Sequence, residues 1–112
     1  MNPDPLVALF SELGEGAAER VICRAMEDLA TRLALLQRFA DEGRSAAVVQ
    51  EARQMAAQAA VVGLASLARV AGDVADSADA RDHTAQAATL ARLVRVGERS
   101  LTAVWDLRDM TH

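Results

Sequence analysis

Two apolar seams constrain this chain more than any single residue does. Val48, Ala52, Met55, Ala59 and Val62 follow one another at steps of four, three, four and three residues, which places all five on one face of a helix. Ile22, Met26, Leu29, Leu33, Leu36 and Ala40 repeat that spacing over a longer stretch. A half-buried strand needs a period of two, and neither stretch has it. The residues around the seams favour helix too: the 112-residue chain holds 25 alanines, and its only prolines, Pro3 and Pro5, stand at the start. The expectation is an all-α chain, one domain over residues 1–112 with one core. Three aromatic residues and so much alanine make that core thin helix-on-helix packing, with no room for a wide cavity.

The punctuation divides the helical stretch into five. Asp4 and Pro5 form a start signal, since Asp4 can accept from the first free amides and Pro5 presets φ without losing a hydrogen bond. A first helix then runs from about Pro5 to Leu13, with Leu6, Leu9, Phe10 and Leu13 apolar, and Gly14 and Gly16 end it through positive φ. The second helix covers about Ala17 to Ala40, Asp41-Glu42-Gly43 is a turn, and Ser45 caps a third helix reaching Val62. After Gly63, the residues Leu64, Leu67, Ala71, Val74 and Ala78 give a fourth stripe, weakened by Gly72. Asp79 caps the last helix with support from Asp82. That helix carries Ala87, Leu90, Val94, Gly97, Leu101 and Val104 on its stripe and continues to Leu107, with Trp105 beside the stripe. Turns this short make consecutive helices antiparallel neighbours. The architecture expected is an up-and-down antiparallel four-helix bundle with a short additional N-terminal helix.

Several classes of function are disfavoured by composition. The net charge of −4 and the scattering of the basic residues, all arginine, offer no field for nucleic acid. No apolar run approaches the roughly 20 residues needed to span a bilayer, so no membrane association is expected. A single cysteine, Cys23, excludes an internal disulfide and fits a cytoplasmic protein. It reads as a buried or half-buried small hydrophobe. Asp73, Asp76, Asp79 and Asp82 recur every third residue but lack the ligand order of a calcium loop; capping, an Arg69–Asp73 pair and a solvated acidic face account for them. No phosphate-binding loop, metal-ligand motif or nucleophile elbow occurs, so neither cofactor nor metal nor catalytic residue is expected.

The stretch from Glu51 to Leu64 resembles the active helix of histidine phosphotransfer (HPt) domains. Their usual pattern is Ala-His-x-Leu-Lys-Gly-x-Ala, a short apolar stretch, then Leu-Gly and an Ala/Leu-rich helix. Ala52 matches the first alanine, Met55 the leucine, Ala59 the later alanine, Val62-Gly63 the Leu-Gly pair and Leu67-Ala68 the helix beyond. The departures fall where the chemistry resides: Arg53 stands at the phosphorylatable histidine, Ala56 at the assisting lysine and Ala57 at the glycine that gives a receiver domain room. The resemblance implies an HPt-like bundle, with a short first helix across its end, that serves two-component phosphorelays. Arginine stays protonated and has no free lone pair, so Arg53 cannot carry a phosphoryl group. The implied function is that of a pseudo-HPt protein, not an enzyme, which binds a response-regulator receiver domain or a histidine kinase. Its partner-binding residues are Gln50, Arg53, Ala56, Ala57 and Ala60, with the second helix adding its adjacent face.

Two other readings stand beside this one. A generic helical bundle would use the same seams for folding and self-association only. An active phosphotransfer protein would use His83, at the first turn of the last helix, as its phosphoacceptor. The HPt neighbours are missing around His83, which reads better as a partly covered structural residue. The remaining histidine, His112, is the last residue of the sequence and is expected to be disordered.

Overall fold

Helix propensity and the two seams are realised as five α-helices: α1 (Asp4–Leu13), α2 (Glu15–Asp41), α3 (Ser45–Val61), α4 (Ala65–Asp79) and α5 (His83–Met110). The computed structural model describes residues 4–110, with side chains described for residues 14–100 and for Pro5, Val7, Ala8, Ser11, Glu12 and Thr102. The expected roles of Asp4, of Leu6, Leu9, Phe10 and Leu13, of Leu101, Val104 and Trp105, and of His112 lie outside the described side chains. Helices α2 to α5 form an all-α four-helix bundle in which α3 packs most extensively on α4, and α1 packs on α2.

One physical device closes all three bundle corners. The Arg44 amide donates to the Phe39 carbonyl (2.9 Å), Leu64 to Ala59 (2.9 Å) and Asp82 to Ser77 (3.0 Å), while Gly43, Gly63 and Arg81 each donate to the carbonyl three residues back. This is the Schellman arrangement, and it requires a left-handed residue just past the helix end. Gly43 (φ 70) and Gly63 (φ 79) supply it freely; Arg81 (φ 56) supplies it with a side chain in a region that only glycine enters without strain. Leu64, which follows Gly63, is buried and locks its corner to the core. Gly14 (φ 80) makes the single-residue break between α1 and α2, whereas Gly16 lies inside α2.

The capping expectations need two corrections. Ser45 is the first residue of α3 rather than its cap, and the cap position falls to Arg44, which makes no side-chain capping bond. Asp79 closes α4, and the acid that opens α5 is Asp82, whose Oδ1 accepts from the Ala85 amide at 3.0 Å. The Schellman turn uses Ala80 to Asp82 as the linker, which shifts the cap three residues along.

The core follows the predicted seams on three helices. Ile22, Met26, Leu29 and Leu36 of α2 are buried with Leu33 packed beside them; Val48, Ala52, Met55, Ala59 and Val62 of the third seam are buried throughout; so are Leu64, Leu67, Ala71, Val74 and Ala78. On α5 the expected stripe is rotated. Among its described side chains Leu93, Val96 and Gly97 are the buried ones, while Ala87 is exposed and Leu90 and Val94 are only half-buried. The cause is unequal packing: α5 lies along α4 far more than along α2. The expected stripe therefore faces the open α2 side, where Ala87, Leu90 and Val94 line a groove of about 480 Å³ against Gln37 and Ala40.

Candidate functional site

The outer face of α3 is set by the inner one. With Val48, Ala52, Met55 and Ala59 buried, the residues on the opposite side of the helix must meet solvent: Ala46, Gln50, Arg53, Gln54, Ala57, Ala60 and Val61 are all exposed. Arg53 is the single charged residue among them. Around it the surface is mostly methyl groups, and Val61 adds a larger aliphatic side chain, 67% exposed, at the end of the face.

Of the five residues expected to bind a partner, Gln50, Arg53, Ala57 and Ala60 share this surface. Ala56 does not fully belong to it, because it is half-buried and packs against the core. The helix turns it about 60° away from Arg53, on the side that carries the α3–α4 contact.

Arg53 has one ionic neighbour among the described residues. Its Nη2 lies 3.5 Å from Oδ1 of Asp76 on α4, and the two side chains are 52% and 73% exposed. A pair this open contributes about 0–1 kcal/mol, so the guanidinium is held lightly. Arg53's ionic neighbour thus comes from α4, while α2, expected to add its adjacent face, borders the same surface on the other side, where Arg32 reaches Gln54. The Arg69–Asp73 pair expected on α4 does not form among the described residues; Asp76, one turn further on, is the aspartate that pairs, across the helices.

On its other flank α3 is tied to α2 by a polar cluster that the sequence reading missed. Arg32 donates from Nε to Gln58 Oε1 (3.0 Å) and from Nη1 to Glu51 Oε1 and Gln54 Oε1 (both 2.8 Å), while Gln58 Nε2 donates to Asp28 Oδ2 (3.3 Å). Arg32 and Glu51 are 29% and 16% exposed, which makes this the best shielded of the ion pairs described. The signal was present as Glu51, Gln54 and Gln58 at helical spacing facing Asp28 and Arg32 one turn apart. Its effect is to fix the rotation of α3 about its own axis, and hence the direction in which Arg53 points.

The rival residues are placed as follows. His83 opens α5 and is exposed at the mouth of the α2–α5 groove, not partly covered as expected. Cys23 is half-buried on α2. No group of three or more His, Cys, Asp or Glu among the described residues is arranged to hold a metal ion, and no described helix is long and apolar enough to cross a membrane. The concavities described are open seams between helices. No protein-family model, curated protein or solved structure matches the chain.

Proposed function

We propose that the chain is a pseudo-HPt signalling protein of two-component phosphorelays, cytoplasmic, which docks on a response-regulator receiver domain or histidine kinase through the outer face of α3 and carries no phosphoryl group itself. One observation carries the reading: a half-exposed cation, Arg53, whose ionic neighbour is the solvated Asp76, stands on a face of α3 whose other exposed residues are uncharged, at the position where the resemblance puts the phosphorylatable histidine. Small neighbours let a partner's backbone approach closely. A guanidinium then reaches into the carboxylate cluster that a receiver uses to hold magnesium and its phosphorylatable aspartate, making charge-assisted and bidentate hydrogen bonds. Releasing Asp76 costs little, because that pair is solvated on both sides.

The test is the affinity for receiver domains of wild type and Arg53→Glu, measured by calorimetry with circular dichroism as the control. The expected result is a loss of about 1.5–3 kcal/mol in binding, roughly ten- to a hundredfold, at unchanged helicity. Equal affinity removes Arg53 from the interface and returns the chain to the generic-bundle reading.

A further inference from the structure

We propose that the seam between α4 and α5 binds a small ligand bearing a pyrophosphate-type group, at a site distinct from the outer face of α3. Arg69 of α4 and Arg92 and Arg99 of α5 line one open groove of about 450 Å³, together with Ser66 and Ser100. Its floor is apolar, formed by Val70 and Val96. None of the three arginines has an ion-pair partner among the described residues, although Asp73 follows Arg69 by one turn and Glu98 adjoins Arg99. Three arginines with no ion-pair partner among the described residues thus share one groove of a chain whose net charge is −4, where a single anion can meet all three guanidinium groups.

The antiparallel register groups these side chains. A Cβ built on Gly97 would lie 3.7 Å from Leu67 Cδ1, so α4 and α5 cross near residues 67 and 97. Counting outward from that point sets Arg69 opposite the Arg92 turn, with Ser66 and Ser100 on the Arg99 side. Arg92 and Arg99 are two turns apart, about 10 Å along the helix. Planar guanidinium forks match phosphoryl oxygens, and the serine hydroxyls add donors at one end.

Charge sets the ligand class. One phosphate monoester brings about −1.5 to −2, whereas two linked phosphoryl groups bring about −3, the amount that balances three arginines.

The test titrates sodium pyrophosphate, and separately inorganic phosphate, into the full chain at constant ionic strength near physiological, with backbone NMR shifts as the readout. Saturable shifts centred on Ser66, Arg69, Arg92, Arg99 and Ser100 are expected, with pyrophosphate binding about tenfold or more tightly than phosphate. Arg92→Gln and Arg99→Gln, both at exposed positions, should each weaken binding about tenfold at unchanged circular dichroism. Arg20→Gln, on the exposed surface of α2, should leave it within about twofold. Absence of saturation, equal affinity for the two anions, or equal losses from Arg20→Gln and Arg92→Gln would overturn the proposal. So would tighter binding to a short oligonucleotide or to anionic vesicles than to pyrophosphate.

Discussion

Asp76 competes with any docking partner for the Arg53 guanidinium. Because both side chains of the pair are more than half exposed, their 3.5 Å contact stabilises the free bundle by at most about 1 kcal/mol. It does, however, occupy the guanidinium that the docking reading requires. Asp76→Asn should therefore tighten receiver binding by about two- to fivefold while moving the melting free energy by less than about 0.5 kcal/mol. Calorimetry on the variant checks it; weaker binding would mean that Asp76 holds Arg53 in its productive orientation instead. At this scale the sequence was legible in part. The exposure of Arg53 follows from the burial of Ala52 and Met55 on either side of it. Its pairing with Asp76 does not, because that depends on how α3 and α4 are rotated against each other. Ala56 shows the same limit: one step along a helix from an exposed residue is enough to turn a side chain toward a neighbour.

The corners are where element-level prediction worked and where it slipped. Gly43 and Gly63 mark two of the helix ends in the sequence, but the third turn is built on Arg81, a residue with no turn signature, so the cap of α5 is Asp82 and not the expected Asp79. A left-handed non-glycine residue costs about 1–2 kcal/mol, partly offset by the chain entropy that glycine would lose. Arg81→Gly should thus raise stability by about 0.5–1 kcal/mol in urea denaturation, and a decrease would show that the Arg81 side chain makes a compensating contact. Inside α4 the opposite change applies. Gly72 sits in the helix with nothing within 4 Å of where its Cβ would be, so Gly72→Ala should add about 0.5–1 kcal/mol by the same assay. Gly97 is different, since a Cβ there would meet Leu33 Cδ2 at 3.2 Å. That contact brings α5 against α2 at Gly97, while Leu93 and Val96 are buried off the expected stripe: period fixes that a helix has a face, not which neighbour receives it.

For the whole molecule, the seams on α2, α3 and α4 were sufficient to specify an antiparallel bundle, because each buries a continuous row of side chains and each corner has room for three linker residues. Alternation of apolar and polar positions could not specify the closure between α2 and α5, which remains an open groove, nor the Arg32 cluster that sets the rotation of α3. The docking reading depends on that rotation, since it aims one cation outward from a methyl surface. Mixing the chain with a phosphorylated receiver domain and weighing the species by native mass spectrometry reads both halves of the claim at once. The account predicts a complex in which the phosphoryl group stays on the receiver and which is lost with Arg53→Glu. A phosphoryl group recovered on this chain, or a complex indifferent to Arg53, would contradict it.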